Sequence, residues 1–260
     1  MDRLPLIIST LCFLLGFAAT LATLKAGRYR PLRFNLAVMS AGFLLQTAFL
    51  FERGKAIGHC PLTNLFEVLI FLSWSITLLY LMIGPTYRLS LMGVFTEPLV
   101  FFIQAFALLA PIDTPHRPFP PHNAWLEFHA ALSVMAYGAF AMAGIAGVMY
   151  LVQERQLKTH RLGTIFFQMP PITHLATTNL RLLWTGWLLL TAGVACAAAI
   201  GLPVVRVDLI WGGAMWIAYL LLLLARRLGP RLIAIASVTA FLLSILALCL
   251  VGHFSRGVAL

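Results

Sequence analysis

The chain has 260 residues, 61% of them hydrophobic and only 10% charged, with a formal net charge of +10. That composition excludes an ordinary soluble domain and describes an integral membrane protein. The positive balance is poor ground for a nucleic-acid partner, because no basic run carries the aromatic interleaving of a strand-binding groove.

A helix needs roughly 20 apolar residues to cross a bilayer, since lipid offers no partner to an unsatisfied backbone group. Eight stretches reach about that length, near 5–24, 34–51, 62–83, 90–110, 125–152, 180–200, 207–225 and 231–251. The first could pass for a signal peptide. Its apolar run has span length, however, and Lys25, Arg28, Arg30 and Arg33 follow it, so it reads as a retained transmembrane helix. The expected fold is all-α, a polytopic bundle of eight transmembrane helices making one domain over residues 1–260. Two connections are long: an extracytoplasmic Pro-rich loop at 111–124, and a cytoplasmic segment at 153–179. The second contains LGTIFFQMPPITHLATT, whose aromatics and Pro170-Pro171 predict a short interfacial helix that breaks before the sixth span.

Basic residues orient the bundle. Twelve of the 18 lysines and arginines fall in connections after spans 1, 3, 5 and 7, leaving Arg3, Arg53, Lys55, Arg117, Arg206 and Arg256 on the other side. The positive-inside bias therefore places both termini outside the cytoplasm, and it accounts, with anionic lipid headgroups, for most of the net charge. A bacterial inner membrane is the expected home.

Polar residues interrupt the apolar runs in two places. In GHCPLTNLFEVLIFLSW, residues 58–74, Pro61 suits the first turn of span 3, and Thr63 and Asn64 can cap backbone donors. Glu67 lies deeper, where a carboxylate costs a few kcal/mol unless it is protonated, paired or wet. It reads either as a neutral acid bonded inside the bundle or as a wall of a binding pocket. In NAWLEFHAAL, residues 123–132, Glu127 suits the positive end of a helix dipole at the solvated boundary. His129 sits about one turn into span 5 and His253 at the outer end of span 8, so the eight-span count brings two imidazoles to similar depth on one face.

Zinc would want three or four closely spaced ligands, and no HExxH or CxxC is present. Cys12, Cys60, Cys196 and Cys249 are scattered, although Cys60 and Cys249 could meet on the outer side in an oxidising compartment. Haem iron asks the protein for only one or two axial groups. Its apolar plane suits Trp and Phe at a membrane edge, with its propionates toward arginines such as Arg53 and Arg206. The plainer alternative is that His129 is an interfacial residue bonded to water or a carbonyl, with Trp125 an ordinary aromatic-belt position. No nucleophile and base pair or phosphate-binding loop is present, so catalysis by this chain alone is not expected.

GHCPLTNLFEVLIFLSW resembles the Pro-Leu-Ser/Thr-Asn-Leu-Tyr/Phe-Glu segment of the cytochrome c assembly protein family, which includes CcsA-type haem-handling proteins and HemX-type relatives. WLEFHAALSVMAYGAFAMAGIAGVMYLVQERQLK resembles that family's Trp-Leu-x-x-His helix and its Tyr-Leu-x-Gln-x-x-x-Leu-Lys ending. The likeness continues through MPPITHLATTNLRLLWTGWLLLTAGV to the terminal GHFSRG. It implies a b-type, non-covalent haem held between His129 and His253 near the outer face, with Trp125, Glu67, Arg206 and Trp211 around it. The synthase members carry a tryptophan-rich Trp-Gly-x-x-Trp-x-Trp-Asp motif between the two histidines. This chain has GLPVVRVDLIWGGAMWIAYLL there, with Asp208, Trp211 and Trp216 but without the motif, and Leu224 where a further His would fall. The resemblance is thus to the HemX-type branch, and it implies a part in cytochrome c biogenesis or tetrapyrrole homeostasis. Its partners would be a cytochrome c assembly protein or a cytoplasmic haem-synthesis enzyme such as glutamyl-tRNA reductase. A transporter of haem or another apolar anion is one rival. A membrane adaptor docking a partner through residues 153–179 is the other.

Overall fold

The computed structural model describes residues 3–25, 32–83, 92–113, 124–160, 169–200 and 206–257, with backbone alone at 23–25, 32–33, 200, 206–211 and 249–257. Eight α-helices follow one another: α1 (Leu4–Lys25), α2 (Leu32–Ile57), α3 (Leu65–Ile83), α4 (Met92–Leu109), α5 (Ala124–Lys158), α6 (Ile172–Ile200), α7 (Arg206–Leu224) and α8 (Pro230–Gly257). No strand occurs among the described residues. Seven of these helices, all but α7, are long and apolar enough to cross a membrane. With α7, at 19 residues, they make up the eight expected helices.

Helix ends depart from the apolar runs, because backbone hydrogen bonding continues where hydropathy falls. Span 3 was expected from residue 62, but α3 starts at Leu65, which leaves Pro61 in the preceding loop rather than in a first helical turn. At 35 residues α5 is about 52 Å long, well beyond a hydrocarbon layer of about 30 Å. Its last turns carry Glu154, which pairs with Lys158 at 2.8 Å and with Arg231 of α8 at 3.5 Å. The sixth helix begins at Ile172, not near 180. Pro171 accepts from the amides of His174 and Leu175 at 2.8 and 3.2 Å, so it opens the helix at an end where proline removes no needed donor. Residues 172–179, expected in a connection, are therefore the first two turns of α6. Of the segment expected to form the interfacial helix, residues 161–168 lie outside the described residues.

Packing divides the bundle in two. The helices α1, α2, α3 and α4 close as a ring in which each touches the next and α4 returns to α1. The long α5 leans on α3 and carries α6 and α8 on its other sides, while α7 lies against α6 and α8. Lipid gives no hydrophobic incentive for helices to associate, so close approach at small residues and buried polar ties must hold them. The α5 run AYGAFAMAGIAG supplies that approach. A Cβ on Gly138 would lie 2.9 Å from Ser75 of α3, and one on Gly147 would lie 2.8 Å from the Ala234 carbonyl of α8. Asn179 of α6 ties three helices together, donating to Ala143 O and to Ser237 Oγ, each at 2.9 Å. Tyr219 of α7 stacks on Phe140 of α5 with ring centroids 3.4 Å apart, and its hydroxyl meets Ser244 of α8 at 3.1 Å.

Candidate functional site

The TNLFE segment builds the start of α3. Asn64 caps the helix by accepting from the Glu67 amide at 2.9 Å, and Glu67 answers by accepting from the Thr63 amide and hydroxyl at 2.9 and 2.8 Å. This reciprocal arrangement satisfies donors that a helix end would leave bare. It also aims the Glu67 carboxylate across the bundle. Glu67 is fully buried, and its other oxygen accepts from Arg53 Nε of α2 at 2.9 Å. Arg53 then donates to Asp113, just past α4, at 2.6 Å, and Asp113 also accepts from Arg3 at 2.8 Å and Asn64 at 3.1 Å. The guanidinium groups of Arg3 and Arg53 both lie over the Phe66 ring, 5.1 and 5.8 Å from its centroid.

This network bears on two expectations. Of the alternatives for Glu67, pairing is the one present, with its oxygens taken up by Arg53 and Thr63. Arg53, expected as an outer cation for a propionate, is itself buried and spans Glu67 and Asp113. Asp113 was not singled out from sequence, because no local pattern links a residue after a helix to an arginine 60 positions earlier.

The loop leading into this network brings α5 close. Gly58 ends α2 with φ +77°, a left-handed value that favours glycine, and its amide returns to the Gly54 carbonyl at 2.8 Å. Two residues on, burial pushes the Cys60 thiol up to about 11, with the charges of Glu127 and Glu67 adding to the effect. Glu127 thus sits half-buried beside Cys60 rather than fully solvated. Cys60 is a free thiol, and the side chain of Cys249, its suggested partner, lies outside the described residues. Because the thiolate is the nucleophile, iodoacetamide at pH 8 is expected to modify Cys60 at least tenfold more slowly than an unperturbed thiol. Glu127→Gln removes a nearby negative charge and should speed that reaction several-fold, read by mass spectrometry of the Cys60 peptide.

His129 lies in the second turn of α5 and is half-buried against α6, with its Nδ1 2.7 Å from the Gly193 carbonyl oxygen. A carbonyl only accepts, so Nδ1 carries the proton in this contact and Nε2 is the ring nitrogen left to meet another partner. Gly193 makes the approach possible, because a Cβ there would lie 2.9 Å from Ser133 Oγ and 3.3 Å from the His129 carbonyl. A carbonyl partner is what the plainer alternative for His129 expected, although its identity as Gly193 left no local signal in the sequence. Trp125, one turn earlier, is 58% exposed, as an aromatic-belt residue would be. Met142, farther along the same helix, is fully buried and turned toward Thr96 of α4 at 3.9 Å.

His253 lies in α8, and its side chain is outside the described residues. Its backbone can still be placed. Gly144 lies against Phe241 and Gly147 against Ser237 and Ala234, so α5 and α8 run antiparallel in a definite register. At about 1.5 Å per residue on both helices, that register carries residue 253 to the depth of residue 129. Arg206 and Trp211 occupy the first two turns of α7, again with side chains outside the described residues. Trp216, farther along α7, donates to Thr191 Oγ1 at 2.9 Å and packs on Trp187 at 5.3 Å. Among the described residues, no group of three or more His, Cys, Asp or Glu side chains could hold a bare metal ion.

Residues 62–259 match the family model of the cytochrome C assembly protein. The chain is 36% identical to a "Cytochrome c biogenesis protein CcsA" of Synechococcus sp. (strain JA-3-3Ab) over 148 residues, covering 54% of this chain and 43% of the relative. It is 30% identical to "Protein HemX" of Brevibacillus brevis over 146 residues, covering 55% of this chain and 53% of that protein. A CcsA of Chlamydomonas reinhardtii is 25% identical over 213 residues, 79% of this chain and 55% of the relative. The chain thus spans about half the length of these curated relatives. The family match covers the TNLFE segment and Asp113, though not Arg3 or Arg53, together with the His129 helix and the helix bearing His253, and on that match the chain belongs to the cytochrome c assembly protein family.

Proposed function

We propose that this chain binds a b-type haem non-covalently near the outer face of a bacterial inner membrane, with His129 and His253 as axial ligands. It acts there in cytochrome c biogenesis or haem homeostasis as a carrier or sensor rather than as an enzyme. The observation that carries this reading is the commitment of His129 Nδ1 to the Gly193 carbonyl. Metal-binding histidines usually donate their second ring nitrogen in this way, which fixes the ring and directs the other lone pair outward. The common depth of the 129 and 253 backbones supports the pair, as do relatives whose names include cytochrome c biogenesis proteins. Arg206 would meet a propionate, and Trp125 and Trp211 would line the apolar edge of the ring. Bound haem would supply one-electron chemistry at its iron. The protein's share is to hold His129 in one tautomer and to pair the apolar plane with the membrane boundary.

The test is an absorption spectrum of the detergent-purified chain, as isolated and after haem addition. Low-spin Soret and split reduced visible bands are expected, and His129→Ala and His253→Ala should each weaken them. Unchanged bands in both variants would remove the two histidines as ligands.

A further inference from the structure

The ring of α1 to α4 buries a second acid that the outer network does not use. Glu97 lies in the second turn of α4, fully buried, and neither of its carboxyl oxygens has a partner at hydrogen-bond geometry. Each of the other three ring helices sends a neutral polar group to the same end of the bundle. Thr20 of α1 and Asn35 of α2 exchange hydrogen bonds at 2.9 and 3.2 Å, both buried. Tyr80 of α3 points its hydroxyl at Gly93, where a Cβ would lie 2.8 Å from it and 3.5 Å from Asn35 Nδ2. Thr20 and Tyr80 are close enough to interact with Glu97. Gly16 of α1 leaves room for the acid itself, since a Cβ there would lie 3.0 Å from Glu97 Oε1.

We propose that Glu97 is an intramembrane proton-binding site, open to exchange from the end of the ring where α1 and α3 finish and α2 and α4 begin. A carboxylate without a cationic partner at this depth costs several kcal/mol, and a proton removes that charge without needing a coordination shell. A metal ion would need more oxygen ligands and more room than the packed Gly16 and Val38 allow. Among the described residues, Tyr80 is the titratable group facing Glu97. The α1 and α2 helices contribute neutral Thr20 and Asn35, and α5 contributes Met142 against the adjacent Thr96.

The site is one-sided. Two turns farther along α4, Gln104 belongs to a separate polar layer with Thr10, Ser73 and Gln46, about 10 Å from Glu97 along the helix. Fully buried Phe13, Met39 and Val100 occupy the intervening residues of α1, α2 and α4. Phe13 is clamped there by Gly42, whose missing side chain leaves the ring its space. Protons therefore reach Glu97 from the nearer end and are not conducted through the ring. This inference uses none of the residues assigned to haem and stands apart from that reading.

Infrared difference spectroscopy of the full chain in lipid nanodiscs tests it. A carbonyl band of an un-ionised carboxylic acid is expected at neutral pH, shifted in D2O, absent in Glu97→Gln and retained in Glu127→Gln. A spectrum without that band at neutral pH overturns the proposal. As a check that needs no variant, the apolar reagent dicyclohexylcarbodiimide adds to protonated carboxyls, so peptide mapping should place its adduct on Glu97. A Glu97 peptide recovered wholly unmodified would likewise overturn it.

Discussion

Replacing Arg53 by Met is expected to destabilise the protein by about 3–5 kcal/mol, because it strands a fully buried Glu67 and a largely buried Asp113 without their shared cation. The size of this effect reflects the charges left behind more than the net worth of the pair. A buried ion pair is itself close to neutral against an apolar replacement of similar volume. The double variant Arg53→Met, Glu67→Leu should therefore recover much of the loss, with Asp113 still held by Arg3 and Asn64. Thermal unfolding of the detergent-solubilised variants measures both. A single-variant loss below about 1 kcal/mol would mean that water reaches the pair, as at a surface bridge.

The second large effect is expected far from the histidines, at Gly147→Val. A side chain there meets the Ala234 carbonyl at 2.8 Å, and backbone inside a helix cannot turn aside as a flexible side chain can. Overpacking of this kind costs about 1–3 kcal/mol. It also pushes α8 away from α5 at the contact that sets their register, about 27 Å along α5 from His129. If His129 and His253 grip one iron, Gly147→Val should weaken the low-spin bands as well as lower the unfolding temperature. A matched loss of stability without spectral change would uncouple the register from the cofactor. Gly193→Ala offers a local contrast, crowding Ser133 and the His129 backbone directly.

Much of the architecture was legible because lipid makes apolar length a strict requirement, and eight runs of that length became eight helices. Helix ends were less legible. The hydrocarbon layer does not control where a helix stops in the headgroups, so α5 continues to Lys158 and α6 starts at Ile172. The cap at Asn64 and Glu67 could be read locally, since both partners lie within one turn. Asp113, Gly193 and Thr20 could not, for each acts on a residue brought near only by tertiary packing. Glu97 did leave a sequence signal, an acid inside an apolar window at GVFTEPL, which the length rule alone passes over.

The closed ring of α1 to α4 bears on how the chain is made. Every member of the Arg53 network lies between Arg3 and Asp113, so all of it leaves the ribosome ahead of α5. The first half can then assemble in the membrane with its charges already neutralised. The arriving α5 docks on a finished surface, and the translocon need not shelter bare ions while the remaining helices are translated.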